Sequence, residues 1–175
     1  MSEVKPEVER GRGGARVATG GSGTVNVATG LPVLDHLLAL LAAYARFDLA
    51  LEVVPASAEA EVAGAGSALG EALRGPLRAG GARGFGSASA TASEALAHVA
   101  IEAANEPLLV SNVDLTDARV GGLATDFAGR FLQAFVDEAG LTLHVRLLHG
   151  SDSQHVLEAI FKALGVALAD ATRIL

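Results

Sequence analysis

ALGEAL at residues 68–73 and ALGVAL at residues 163–168 differ at one position and lie 95 residues apart. With an offset one residue smaller, FDLALEV at 47–53 falls on LTLHVRL at 141–147. Self-similarity at a fixed offset is the signature of a repeated structural unit. The sequence therefore predicts a tandem duplication whose halves differ by one residue in a loop.

The spacing of apolar residues predicts the same order of elements in each half: strands, a helix, a strand and a helix. Predicted helices cover residues 31–44, 59–77, 125–138 and 153–172. Predicted strands cover residues 16–19, 24–29, 47–54, 87–91, 95–103, 108–113 and 141–148. The run GGSG between the first two strands predicts a hairpin turn that pairs them. The predicted fold class is α+β, with two sheets backed by helices.

The glycine-rich run GGARGFG at 80–86 predicts the boundary between the two halves. We predict a flexible arm at 1–11, a first half at 12–80 and a second half at 81–175. Duplicated α/β units bury their sheets or helices against each other, so we expect the two halves to form one compact two-lobed domain.

The composition excludes several classes of function. The chain has 175 residues, no cysteine and a formal net charge of -7. The absence of cysteine rules out a disulfide scaffold, a thiolate zinc site and a cysteine nucleophile. A negative chain does not attract nucleic acid or anionic lipid, so neither nucleic acid nor membrane is predicted as a partner. Charges interrupt the apolar stretch at 31–54, and the N-terminus has no apolar core, so we predict a cytoplasmic protein.

His155 and Glu158 lie three residues apart near the start of the last predicted helix. This spacing brings an imidazole and a carboxylate to the same face, as in a His-x-x-Glu metal half-site. On spacing alone, an amphipathic helix whose polar residues face solvent is favoured, since a divalent ion needs more than two protein ligands. His36 follows Asp35 at the start of the first predicted helix, where the carboxylate suits the helix dipole and can cap the helix.

Three long stretches carry a family resemblance: TVNVATGLPVLDH at 24–36, RGFGSASATASEALAHV at 83–99 and LTLHVRLLHGSDSQHVLEAIFKALGVALADAT at 141–172. They resemble imidazoleglycerol-phosphate dehydratase, a family of histidine biosynthesis. The resemblance implies a tandem-duplicated fold of the ribosomal protein S5 domain 2 type, assembled through trimers into a hollow shell of twenty-four subunits. It also implies a dimanganese site between subunits, where water is removed from imidazoleglycerol phosphate.

The sequence departs from the family at the metal ligands. In the family, each half supplies a His-His-x-x-Glu motif and one histidine from the preceding helix. Three positions keep the residue type of the family, namely His36, His155 and Glu158. Gln154 and Arg130 stand where the resemblance implies histidines, and EAEVAG at 59–64 replaces the first motif. A guanidinium and a methyl group cannot bind Mn²⁺, so these departures predict the loss of the two intact metal centres.

The phosphate-binding positions of the family are also depleted. Lys162 matches a phosphate-contacting lysine of the family, and Arg83 lies one place before Gly84, where the family has an arginine. Glu106 replaces another arginine, and its carboxylate would repel a phosphate dianion. Lys162 and Arg83 are therefore the predicted contacts of a substrate phosphate.

Three functions are compatible with this pattern. The first is a homologue without the dehydratase activity and without a cofactor, retained as an oligomeric structural or regulatory protein that partners itself or an intact dehydratase. The second is an active lyase of histidine biosynthesis with a rebuilt site, in which one Mn²⁺ is bound by His36, Glu59, His155 and Glu158, since carboxylates are competent ligands. The third is a binding module for another small ligand in the old cleft.

Overall fold

Two mixed β-sheets form the outer layers of the fold, and helices pack between them. The computed structural model describes residues 13–114, 119–120, 123–124 and 126–175. In chain order the strands are β1 (Gly14–Ala18), β2 (Val25–Ala28), β3 (Asp48–Glu52), β4 (Phe85–Ala92), β5 (Ala95–Ala103), β6 (Leu108–Ser111), β7 (Arg119–Val120), β8 (Leu123–Ala124) and β9 (Leu141–His149). The helices are α1 (Pro32–Ala45), α2 (Ala58–Leu77), α3 (Phe127–Ala139) and α4 (Ser153–Thr172).

The predicted helices and strands are all present, and each begins and ends within two residues of its predicted bounds. The short ribbon of β7 and β8 was not predicted. The predicted arm at 1–11 lies outside the described residues. In the described ranges, no helix is both long and apolar enough to cross a bilayer.

The two sheets repeat one topology. In the first sheet, β3 is central and pairs antiparallel with β1 and parallel with β2. In the second sheet, β9 is central and pairs antiparallel with β5 and parallel with β6, while β4 extends the sheet beyond β5. Helices α1 and α2 cover the first sheet, and α3 and α4 cover the second. The predicted α+β duplication is therefore confirmed.

The predicted pairing of the first two strands in a hairpin is wrong. Ala50 of β3 lies between them, opposite Arg16 of β1 on one side and Asn26 of β2 on the other. The glycine-rich loop instead crosses the start of β3, where Asp48 Oδ1 accepts the backbone N–H groups of Ser22 and Thr24 at 3.0 Å each. This carboxylate satisfies loop donors that a hairpin would have bonded across the turn, so β3 can take the central position.

Helices of different halves contact each other backbone to backbone. Gly66 and Gly70 of α2 face α3, and a Cβ on Gly70 would lie 2.6 Å from the carbonyl oxygen of Phe135. Gly165 of α4 likewise lies against the backbone of Leu41 in α1. Only glycine permits this approach, because no real Cβ comes so close to a carbonyl oxygen. The two halves therefore share one core.

Arg78 holds the C-terminal ends of two helices together. It follows α2, and its Nη1 donates to the carbonyl oxygens of Arg74 at 3.3 Å and Ala139 at 2.8 Å. Its Nη2 donates to the carbonyl oxygens of Ala104 at 3.1 Å and Gly140 at 2.7 Å. The guanidinium thereby satisfies carbonyls at the negative ends of the α2 and α3 dipoles.

We expect Gly70→Ala to lower the free energy of unfolding by about 1–3 kcal/mol, because the new methyl group would push α2 away from α3. Gly129→Ala is the matched control, since nothing lies within 4 Å of a Cβ there. That variant is expected to gain about 0.4–1 kcal/mol through the lower entropy of its unfolded chain. Urea unfolding measures both, and equal midpoints for the two variants would contradict the close packing.

Candidate functional site

The N-terminal ends of α1 and α4 bring together two of the predicted site residues. His36 Nε2 lies 3.1 Å from Glu158 Oε1, and Gln154 Nε2 donates to the same oxygen at 3.3 Å. The His36 side chain is 53% exposed, whereas that of Glu158 is 18% exposed. A carboxylate offers only acceptors, so the imidazole supplies the hydrogen of this bond from Nε2. Glu158 of the predicted motif thus pairs with His36 across the two helices.

His155, the other half of the predicted motif, bonds to Glu94 rather than to His36 or Glu158. Its Nδ1 lies 2.8 Å from Glu94 Oε2. Glu94 Oε1 also accepts the backbone N–H of Asp152 at 2.9 Å, and Asp152 caps α4 by accepting the N–H of His155 at 3.1 Å. The sequence patterns did not identify Glu94 as a site residue. The signal was the two-residue turn that it forms with Ser93 between β4 and β5, opposite the start of α4.

The contacts of this second pair shift the pKa values of both partners. The backbone N–H of Asp152, with the hydrogen bond from His155, lowers the pKa of Glu94 to about 2. The hydrogen bond to Glu94 raises the pKa of His155, and the charges of Asp152 and Glu158 act in the same direction. Between the two shifted values, the pair exists as carboxylate and imidazolium.

Asp35 does not cap α1 through the first turn of the helix. The helix starts after Leu31, which makes no side-chain capping bond. Asp35 Oδ1 instead accepts the backbone N–H of Thr29 at 2.9 Å and the Thr29 hydroxyl at 2.5 Å. The carboxylate fixes the loop that leads into α1, and it still lies where the helix dipole favours negative charge.

The acidic residues that replace the first family motif have partners of their own. Glu59 Oε1 lies 3.6 Å from Arg130 Nη2, and Arg130 also contacts Asp126 at 3.5 Å. Glu61 is only 8% exposed, and its Oε1 accepts the backbone N–H of Ala56 at 3.2 Å. Glu61 Oε2 is buried without a hydrogen bond. The two replacements therefore differ, because Glu59 is exposed and Glu61 is turned inward.

The predicted metal ligands thus fall into separate pairs within one chain: His36 with Glu158, His155 with Glu94, and Glu59 with Arg130. Among the described residues, no three His, Asp or Glu side chains are close enough together to hold a metal ion. A guanidinium beside Glu59 is also a poor neighbour for a divalent cation. The described residues of a single chain therefore do not form a site that fits Mn²⁺.

The predicted phosphate contacts, Lys162 and Arg83, lie near different turns of α4. Lys162 Nζ donates to the carbonyl oxygen of Thr91 at 3.1 Å and lies 5.4 Å from the centre of the Tyr44 ring. Arg83 Nη1 forms an ion pair with Asp170 at 2.7 Å, and Arg83 also stacks on a phenylalanine ring. Lys162 and Asp170 are eight residues apart on one helix, roughly 12 Å. Within one chain, the two cations do not converge on one anion.

A cleft of about 300 Å³ opens beside His36. We call it the α1 cleft. Its polar lining residues are His36 and Gln154. Its apolar lining residues are Pro32, Val33, Leu37, Val120 and Leu157. Such a lining, apolar with a few convergent polar groups, is typical of small-molecule sites.

Comparisons with known proteins agree with the resemblance. A family model described as imidazoleglycerol-phosphate dehydratase matches residues 29–168. The imidazoleglycerol-phosphate dehydratase of Syntrophobacter fumaroxidans is 40% identical over 163 residues, which cover 91% of this chain and 83% of the relative. That of Pelobacter propionicus is 37% identical over 158 residues, which cover 88% of this chain and 81% of the relative.

Solved structures show the same likeness. The crystal structure of imidazoleglycerol-phosphate dehydratase from Staphylococcus aureus aligns with a TM-score of 0.87 at 26% identity, covering 95% of this chain and 96% of that one. The structure of the Pyrococcus furiosus protein aligns with a TM-score of 0.80 at 29% identity, covering 92% of this chain and 89% of that one.

We expect Glu94→Gln to destabilise the protein most between pH 4.5 and 6.5. The stability that the lowered pKa of Glu94 provides is complete above 4.5 and is lost as the pH falls towards 2. The stability that the raised pKa of His155 provides is complete below 6.5 and is lost as the pH rises through the folded-state pKa.

Urea unfolding of wild type and variant across this pH range measures the difference. Glu71→Gln, an exposed carboxylate on α2, is the control for the loss of one negative charge. A gap between wild type and Glu94→Gln that does not change with pH would disprove the role of the ionised pair.

Proposed function

Since the chain belongs to the imidazoleglycerol-phosphate dehydratase family, we propose that it is a member without the dimanganese dehydratase activity. It keeps the fold of the family as an oligomeric structural or regulatory protein. Its first partner is a further copy of itself, and a second is an intact dehydratase. The observation that carries the proposal is the separate pairing of the residues at the ligand positions of the family.

The charge balance of those pairs supports the proposal. A divalent ion holds several carboxylates together by neutralising them, and without the ion they repel one another. Here Glu59 has Arg130 beside it, and Glu94 has His155. To bind Mn²⁺, the Glu59 carboxylate would have to break its ion pair with Arg130. The guanidinium would then remain close to the metal and repel it.

The depleted phosphate contacts support the same conclusion. Arg83 is engaged by Asp170, and Lys162 by the backbone of Thr91. A phosphorylated substrate would have to break the ion pair between Arg83 and Asp170 before its phosphate could pair with the Arg83 guanidinium. Neither cation lines the α1 cleft.

The second candidate function is an active lyase of histidine biosynthesis. The names of the relatives favour it, because proteins 37–40% identical to this chain are named imidazoleglycerol-phosphate dehydratase. In this case Mn²⁺ would be held by His36, Glu59, His155 and Glu158 drawn from neighbouring subunits, since the resemblance implies a site between subunits. The two candidates therefore differ in the metal content of the assembled protein.

We expect the assembled protein to retain no stoichiometric Mn²⁺ after incubation with excess MnCl2 and gel filtration, measured by elemental mass spectrometry. We also expect EDTA to leave its melting temperature and its oligomeric mass unchanged. A metal bound to the folded state would raise the melting temperature, so its removal by EDTA would lower it. Retained Mn²⁺ together with growth rescue of a strain that lacks the dehydratase would establish the lyase instead. A monomer by light scattering would contradict the structural role.

Two double variants test whether the missing histidine ligands are the reason that Mn²⁺ is not retained. Arg130→His combined with Gln154→His restores two ligand types that the resemblance implies, and we expect this variant to retain more Mn²⁺ than wild type. The control, Arg130→Gln with Gln154→His, removes the same charge but restores only one ligand. If the two variants retain equal Mn²⁺, the guanidinium and not the missing ligand keeps the metal out.

A further inference from the structure

β4 is the longest edge strand of the described sheets. It has eight residues, whereas the edge strands β1, β2 and β6 have five, four and four. β5 lies on one side of it, and no strand in the described ranges lies on the other. A long unpaired edge presents backbone N–H and C=O groups to which another strand can bond.

The hydrogen-bond pattern shows which backbone groups of β4 point outward. The N–H of Ala103 donates to the carbonyl oxygen of Gly84 at 2.8 Å, so the even-numbered residues of β4 bond to β5. The odd-numbered residues therefore direct their N–H and C=O groups to the free edge. Lys162 Nζ reaches the carbonyl oxygen of Thr91 at 3.1 Å, as expected for a carbonyl outside the ladder. That oxygen keeps a second lone pair for a strand partner.

The strand lacks the features with which natural edge strands avoid pairing. From Phe85 to Ala92 there is no charged residue and no proline, and the register with β5 is uninterrupted. The outer-face side chains are all exposed: Phe85, Ser87, Ser89 and Thr91. Charges, prolines and bulges are the usual protection of an edge, so this edge is open to a partner strand.

The same edge already binds extended backbone at its start. The N–H of Arg83 donates to the carbonyl oxygen of Arg173 at 2.9 Å, and the N–H of Leu175 donates to that of Gly81 at 2.8 Å. The C-terminal segment thus occupies the outward side just before β4. A further strand can pair only with the residues that follow Arg83.

We propose that β4 pairs antiparallel with β4 of a second copy of this chain, with Ser89 on the two-fold axis and Ser87 opposite Thr91. In this register the turn at residues 93–94 of the second copy comes opposite Phe85, clear of the C-terminal segment. The three residue pairs exchange about six backbone hydrogen bonds, two for each pair. The inference rests on the proposed function, because it assigns a surface to the association of the chain with itself.

The strand is complementary to itself in this register. On the outer face only serine and threonine side chains meet, and hydroxyl pairs across strands are favourable. On the inner face Ala88 meets Ala90, so no bulky side chain holds the two strands apart. No like charges face each other along the paired residues. A two-fold contact of this kind uses the same patch on both copies.

Cysteine cross-linking tests the register, because the chain has no cysteine of its own. Two residues on the axis of a hydrogen-bonded antiparallel pair have Cα atoms about 5.5 Å apart, within reach of a disulfide. We expect Ser89→Cys to give a covalent dimer with oxidised glutathione on a non-reducing gel. The control is Ser87→Cys, whose two copies would lie about 14 Å apart and should remain uncross-linked. Equal yields from the two variants, or no dimer from Ser89→Cys, would overturn the inference.

A proline at the same position tests the backbone bonds. Ser89→Pro removes an outward N–H but no bond to β5, and proline is tolerated on edge strands. We expect its assembly, followed by sedimentation, to require about tenfold or more higher protein concentration than that of wild type. Ser89→Ala keeps the N–H and should assemble as wild type does. Urea midpoints show that each variant is folded, and unchanged assembly of folded Ser89→Pro would contradict the pairing.

The measurements separate the failure of this inference from that of the proposed function. If light scattering shows an oligomer and Ser89→Cys gives no covalent dimer, the β4 contact fails and the proposed function stands. If the protein retains Mn²⁺ and rescues growth while Ser89→Cys cross-links, the proposed function fails and the β4 contact stands. A monomer contradicts both.

Discussion

The contact between the backbones of α2 and α3, at Gly66 and Gly70, decides how the two halves of this chain are joined. Each helix belongs to a different half, and no side chain separates them at these points. Gly165 makes the equivalent contact between α4 and α1. Because interiors are packed as densely as organic crystals, such contacts leave little freedom in the relative position of the helices. The distance between His36 and Glu158, which lie on α1 and α4, depends on this packing.

Opposite charges hold the two ends of the helix layer. At the C-terminal ends of α2 and α3, the guanidinium of Arg78 binds four carbonyl oxygens. At the N-terminal ends of α1 and α4, the carboxylates of Asp35 and Glu94 accept backbone N–H groups of the adjoining loops, and that of Asp152 accepts a backbone N–H in the first turn of α4. Both arrangements complement the helix dipoles. The candidate site lies at the acidic end, so its surroundings carry negative charge for a structural reason as well.

The sequence was sufficient for the fold because hydrophobic period and internal repeat agree in both halves. The one topological error is the predicted hairpin of β1 and β2. The loop between these strands is bonded to Asp48 through Ser22 and Thr24, and a bond between a side chain and a loop leaves no periodic signal in the sequence. At the site, the spacing of His155 and Glu158 identified two residues but not their partners. Those partners, Glu94 and His36, come from a β-turn and another helix. Contacts between residues so far apart in the sequence cannot be predicted from residue spacing. Arg130 was found as a departure from the family, whereas its ion pair with Glu59 required the structure.

Under the proposed function, the separate pairs also explain why one substitution is not expected to create a metal centre. Removing Arg130 leaves Glu59 without its cation, but Glu158 still receives hydrogen bonds from His36 and Gln154, and His155 still bonds Glu94. Each bond must be exchanged for a metal bond, and the gain comes only when several ligands act on one ion. Residues in one network are not additive in their effects. Under the proposed function, a metal centre in this chain therefore requires several of these pairs to be exchanged together.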